Sequence, residues 1–305
     1  MTEKDFGRRD GPSVKIRYNK CMEKKKLNGL IRLFRPDLSL AAGLCTVGGQ
    51  IIAAGRLAPL PVTLLGFLCA FGCSGSALVV NDYFDYDVDC INAPDRPLPS
   101  GAVTRKEAWV LAVLLSVIGL ASAALLGPLC FFFGAIFWII GFLYNWRFKE
   151  SGLPGNLMVS SSVAFTFVLG GMSVGQPWNV LVWVFAMMAF FIDLGEEITG
   201  DALDMDGDLK RDARSVARAK GKQFALRLAV AFWGLVILLG WIPVLTGLMG
   251  IGYQITMLAV DALILYFSIR LMRTDDVSTQ RWCMKGVYMG MTLIVLAFLI
   301  GQIAR

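Results

Sequence analysis

The stretch PVTLLGFLCAFGCSGSALVVNDYFDYDVD, Pro61 to Asp89, runs for twenty residues without a charge. It then places an asparagine and four aspartates within nine residues, Asn81 to Asp89. An uncharged run of that length can cross the ~30 Å hydrocarbon layer of a bilayer. An acidic cluster continuing the same helix lies at the membrane boundary. The whole chain agrees: 56% of its 305 residues are hydrophobic and only 17% are charged, against about 25% charged in soluble chains. An all-α, polytopic membrane protein follows.

Working outward, apolar runs fall near 38–54, 61–83, 108–126, 129–146, 156–174, 179–200, 224–246, 253–271 and 283–304. The expectation is nine transmembrane helices, with the tightest turn at Leu126–Leu129. Charge tests this count. Of 29 Lys and Arg residues, 27 fall on one side of the nine-helix arrangement, leaving only Arg56 and Arg305 opposite. The positive-inside rule makes that side cytoplasmic. The amino terminus is then inside and the carboxyl terminus outside. Residues 1–35 form a basic cytoplasmic segment drawn to anionic lipid, residues 36–305 the nine-helix domain, and no removable signal peptide is expected.

The chain has no histidine, which excludes His-based triads and most zinc and haem ligation. A metal here must bind oxygen, which favours Mg²⁺, Mn²⁺ or Ca²⁺. Seven cysteines, several in apolar segments, read as small packing residues rather than a disulfide framework.

A second acidic stretch, EEITGDALDMDGDLKRD from Glu196 to Asp212, closes the sixth span. At 100° per residue, Asp82, Asp85 and Asp89 share a ~60° face bordered by Asn81, while Asp87 points away. Asp201, Asp204 and Asp208 repeat the spacing, with Glu197 one turn earlier and Asp193 one turn before that. Crowded carboxylates repel unless a cation intervenes. Two such helices at one depth suggest an oxygen-ligated divalent cation rather than two solvated helix ends. Mg²⁺ commonly bridges a few carboxylates to substrate phosphates, so a diphosphate with a long apolar tail fits both the acids and the bundle.

These residues resemble the UbiA-type intramembrane prenyltransferases. The likeness rests on NDYFDYDVD followed by NAPDRPLPSG (Asn92–Gly101), on LYNWRFKESGLPGN (Leu143–Asn156), on the second acidic motif and on RLFRP (Arg32–Pro36). It implies a bundle with a cytoplasm-facing polar cavity and Mg²⁺, expected as two ions, with Mn²⁺ as an alternative. Carried over, the metal and diphosphate site comprises Asn81, Asp82, Asp85, Asp89, Asp201, Asp204, Asp208 and Glu197. The loop after the second span is expected to cap the site and bring Arg96 to the diphosphate. Tyr144 would face an allylic cation with its ring, or sit in an interfacial aromatic belt. Lys149 and Arg147 would offset charge on the departing diphosphate, or serve as topology anchors. Asp85 and Asp204 are the carboxylates expected to matter most for catalysis.

The loop sequences are most similar to those of members that prenylate geranylgeranylglyceryl phosphate in archaeal ether-lipid synthesis. Aromatic quinone precursors and chlorophyll-type acceptors remain open. A phosphorylated acceptor calls for further cations, which Arg32, Arg35 and the loop after the sixth span could supply. That loop reads KRDARSVARAKG, with Ala213 where the family commonly has Gly, which leaves the role of Ser215 open. The partners expected are a prenyl diphosphate, a lipophilic acceptor and membrane lipids, with no sign of nucleic acid or a protein partner. A cation or phosphate-lipid transporter is the competing class, but its acids would be expected near the midplane. Asp261, in the middle of the eighth span, either faces the cavity or hydrogen-bonds a neighbouring helix.

Overall fold

The computed structural model describes residues 25–205 and 214–303. Asp208, Ala213 and the first 24 residues of the basic segment lie outside the described residues. Every described element is helical. After a short helix over residues 25–33 come α1 (Pro36–Ala54), α2 (Leu60–Phe84), α3 (Tyr86–Asn92), α4 (Arg105–Leu126) and α5 (Pro128–Leu143). A π-helical turn (Tyr144–Phe148) leads to α6 (Leu153–Ser173), α7 (Val180–Asp204), α8 (Val216–Lys220), α9 (Lys222–Leu245), α10 (Ile251–Arg273) and α11 (Val277–Ile303).

Local chemistry sets these boundaries. Proline stands in the first turn of α1, α2, α5 and α6, where its fixed φ suits a helix and its missing N–H is not needed. Thr104 and Glu107 form a reciprocal capping box at the start of α4. Gly127, at φ 132°, makes the expected tight turn before Pro128.

Seven of the described helices are long and apolar enough to cross a membrane: α1, α2, α4, α5 with its π turn, α6, α9 and α10. α7 and α11 take the sixth and ninth places of the expected series. Acidic residues from Asp193 onward interrupt the apolar run of α7.

Packing runs from helix to helix. α2 lies against α4, α1 joins α2 to α6, α6 packs on α7, and α7 meets α9 and α11, with α10 beside both. The α2–α4 contact is backbone to backbone: a methyl group on Gly72 would lie 2.6 Å from Leu115 O. Close approach through small residues is how helices pack in lipid, which offers no hydrophobic drive.

Phe185, Met188, Ile192, Trp233 and Met257 centre the larger core. A smaller one, Leu33, Val79, Val80, Leu98, Val103, Ala108, Ala112 and Leu115, ties the 25–33 helix and the 93–104 loop to α2 and α4. α4 turns Val110, Val113, Leu114, Val117 and Ile118 outward, an apolar face suited to lipid rather than water.

One expectation is corrected. The helix through Asn81–Asp89 is not continuous. It breaks at Asp85, whose φ of −78° and ψ of 0° fall in the sparsely used bridge region. An aspartate side chain competes with helical backbone bonding, which makes it a ready place for such a break. Backbone hydrogen bonds still cross the break, Asp85 N to Asn81 O at 3.0 Å and Asp89 N to Asp85 O at 2.8 Å. The predicted face therefore survives, with Asp82 and Asp89 buried and Asp87 exposed.

Candidate active site

The first acidic motif is neutralised by cations from three separate elements. Arg35, immediately before α1, donates from Nη2 to Asp82 Oδ1 at 2.7 Å. Its φ of 45° makes it the one described non-glycine residue with positive φ. Such a backbone persists only where its surroundings hold it. Here the ion pair with Asp82 holds the arginine toward α2.

Arg96 donates from Nη1 to Asp89 Oδ2 at 2.6 Å and reaches Asp82 Oδ1 at 3.5 Å. Burial pulls the Arg96 guanidinium down, but the hydrogen bond to Asp89 and the charges of Asp82, Asp89 and Asp85 together hold it above its ordinary value. The loop after α3 therefore folds back over the motif as a cap. Leu98 and Val103 anchor it against Leu33, and Arg32 contacts Asp95 O.

The third cation is Lys149, whose Nζ pairs with Asp85. It stands just after the π turn and closes it, Lys149 N bonding Tyr144 O at 2.8 Å. One such wide turn inside a helix shifts the register of the residues beyond it and is frequent at functional sites. Tyr144 consequently lies within electrostatic reach of Glu197, Asp201, Asp85 and Asp193. Lys149 pairs with Asp85, and its charge is also felt at Glu197 of α7. One turn thus stands between the two acidic motifs.

On α7, Asp193 is buried and accepts from Ser160 Oγ at 2.8 Å. Glu197 lies near Asp193 and Asp201, and Asp201 accepts from Asn156 Nδ2 at 3.0 Å. Asp204 is half-exposed and pairs with Arg281 of α11. Arg147 is exposed on the π turn and has no ion pair among the described residues.

Among the described residues, no three His, Cys, Asp or Glu side chains converge as a metal cage. The acids are held instead by Arg, Lys, Asn and Ser side chains, Asp82 by Arg35 and Arg96 together. The donor set nevertheless fits Mg²⁺: it is all oxygen, and this ion keeps waters and substrate oxygens rather than demanding a cage of protein ligands.

Sequence reading missed Asn145, Asn156 and Ser160, the polar side chains that orient Asn81, Asp201 and Asp193. Each is a polar side chain in or beside an apolar run, but nothing in its own stretch of sequence says which group it will orient. Ser215 gains a plain role, accepting from Arg218 N as the amino-terminal cap of α8. Asp261 meets the second of its two expectations. It lies buried on α10 and accepts from Trp241 Nε1 of α9 at 2.8 Å.

Comparison with known proteins meets this geometry from outside. The UbiA prenyltransferase family model matches residues 42–298. A digeranylgeranylglyceryl phosphate synthase of Thermococcus kodakarensis is 34% identical over 281 residues, covering 92% of this chain and 100% of the relative. A solved structure from work on digeranylgeranylglyceryl phosphate synthase in membranes superimposes with a TM-score of 0.78 at 26% identity, over 92% of this chain and 99% of that one. A UbiA homologue from Archaeoglobus fulgidus bound to GPP and Mg²⁺ shares the fold, with a TM-score of 0.71 at 21% identity over 89% and 99% of the two chains. With paired acidic motifs on a membrane helical bundle and family identity along nearly its full length, this chain is a multi-pass prenyl-transferring enzyme that belongs to the UbiA prenyltransferase family.

Proposed function

We propose that the chain transfers a geranylgeranyl group from its allylic diphosphate to the free hydroxyl of geranylgeranylglyceryl phosphate, within the membrane and from the cytoplasmic side. The observation that carries this reading is the ion pair between Lys149, which closes the π turn bearing Tyr144, and Asp85 of the first acidic motif. The name of the Thermococcus kodakarensis relative supports the acceptor. The segregation of 27 of 29 basic residues supports nine spans with the site facing the cytoplasm.

Asn81, Asp82, Asp85 and Asp89 would hold Mg²⁺ from one side, with Glu197, Asp201, Asp204 and Asp208 on the other. Mg²⁺ supplies charge neutralisation of the diphosphate. The chain's own residues do the rest. Arg96, Lys149 and Arg147 offset charge on the departing diphosphate, a stabilisation strongest in a water-poor site. Tyr144 presents its ring to the allylic cation left when the C–O bond breaks. The acceptor hydroxyl attacks carbon 1 of that cation, forming the ether bond and releasing a proton. Arg32 and Arg35, beside the cap and the first acidic motif, would supply cations for the acceptor's phosphate. Close helix packing keeps out water that would otherwise capture the cation.

The test is transfer of labelled geranylgeranyl diphosphate by purified protein with Mg²⁺ and a panel of acceptors. Geranylgeranylglyceryl phosphate should be prenylated and a hydroxybenzoate should not. Prenylation of the aromatic acceptor alone would overturn the acceptor assignment. Undiminished transfer in both Asp85→Ala and Asp204→Ala would overturn the two-motif site.

A further inference from the structure

Asn145 is the second residue of the π turn and is buried. Its Nδ2 donates to two backbone carbonyls, Ala77 O at 3.0 Å and Gly141 O at 3.0 Å. Its Oδ1 accepts from Asn81 Nδ2 at 2.8 Å. Ala77 and Asn81 lie one turn apart on α2, so a single carboxamide from the π turn grips α2 at two successive turns.

The orientation of this joint is forced. A backbone carbonyl only accepts hydrogen bonds, so Asn145 must turn its N–H groups toward Ala77 and Gly141. Its oxygen is then left facing Asn81 and requires a donor. Asn81 can meet that requirement only with Nδ2, which leaves Oδ1 as the carboxamide atom available to a cation or substrate oxygen. Two main-chain carbonyls thereby set the side chain at the head of the acidic motif, acting through Asn145.

We infer that Asn145 is a positioning residue that fixes the Asn81 carboxamide with its oxygen offered to the cation site, and that this is why position 81 is an amide rather than a carboxylate. An aspartate at 81 would carry more charge for a cation. It would also set a carboxylate oxygen against Asn145 Oδ1, with no donor between them. The same joint ties Asn81 to the turn that bears Tyr144 and leads into Lys149, so the motif and the turn cannot shift independently. The inference rests on the proposal that Asn81 belongs to a divalent-cation site.

The test uses purified, substrate-free protein titrated with Mn²⁺, with free ion followed by electron paramagnetic resonance. Asn145→Ala should weaken Mn²⁺ binding about tenfold or more, the usual effect of losing a group that orients a metal ligand. Asn81→Ala should weaken it similarly. The Asn81→Ala/Asn145→Ala double variant should bind within about twofold of Asn81→Ala alone, because a residue acting only through Asn81 has nothing left to orient.

Asn81→Asp, which leaves both carbonyl bonds of Asn145 in place, should bind more weakly than the native protein despite its added charge. Native affinity in Asn145→Ala, or multiplied losses in the double variant, would show that Asn145 does not act through Asn81. Tighter binding by Asn81→Asp would overturn the inference on its own. Absence of saturable Mn²⁺ binding by the native protein would instead remove the cation-site reading, and the inference with it.

Discussion

Replacing Arg96 by Gln removes the cation shared by Asp82 and Asp89 while keeping most of the side-chain stem. Arg96 Nη1 is 2.6 Å from Asp89 Oδ2 and 3.5 Å from Asp82 Oδ1. The two carboxylate side chains are only 7% and 5% exposed, and that of Arg96 is 37% exposed. Breaking a fully buried pair costs about 3–5 kcal/mol because an uncompensated charge remains, whereas an exposed pair contributes about 0–1 kcal/mol. Asp82 keeps Arg35 at 2.7 Å, so the main loss is the short bond to Asp89. A hydrogen bond between charged groups contributes about 1.5–3 kcal/mol.

With the guanidinium about one-third in solvent, water recovers part of that loss, and about 2 kcal/mol is the expected destabilisation. Domains of 150–250 residues lose about 2–4 °C of Tm per kcal/mol. This longer chain should fall at the low end, near ~4 °C, in detergent without divalent cation. Saturating Mg²⁺ should narrow the gap, since it offsets the same carboxylates. Arg147→Gln is the control: that side chain is exposed and without an ion pair among the described residues, and such surface changes stay within about 0.5 kcal/mol. Equal Tm values for Arg96→Gln and Arg147→Gln would refute the reasoning that the 93–104 loop is fastened by its charge.

Tyr144→Phe should retain most transfer activity and Tyr144→Leu should lose roughly tenfold or more in kcat, since a desolvated ring–cation contact contributes about 2 kcal/mol; equal losses in the two would deny the ring a role. Gly170→Val should lower Tm or prevent folding, because even a Cβ there would lie 2.2 Å from Thr46 O and overpacking costs about 1–3 kcal/mol. Asp276, ahead of α11, is held down to about 2 by hydrogen bonds from the Ser278 hydroxyl and from the Thr279 hydroxyl and N–H. A depressed carboxylate contributes stability that is present above its ordinary value and lost as pH falls toward about 2. Asp276→Ala should therefore lower Tm near pH 7, and the difference should shrink from about pH 4 downward and close as pH approaches about 2.

What could be read from sequence, and what could not, divides along a physical line. Asn81, Asp82 and Asp89 were legible because a charge or amide next to hydrocarbon is expensive and helical spacing then assigns a shared face. The tight turn before α5 was legible because Gly127 and Pro128 act on their own neighbours. The π turn at Tyr144 was not, because its Asn145 is held by partners distant in the chain, Ala77 and Asn81. Arg281 looked like one more positive-inside anchor until α11 packed beside α7 and gave it Asp204. The pairing of Asp82 and Asp89 with Arg96, and of Asp82 with Arg35, was hidden for the same reason. Periodicity reports which side chains share a face of one helix and is silent on the groups a neighbouring element brings to it. This asymmetry explains why the candidate site residues could be named from one sequence while the side chains bonded to them could not. An acid advertises itself by being costly where it stands, whereas an orienting amide such as Asn145 becomes visible only once the two helices it joins are in place.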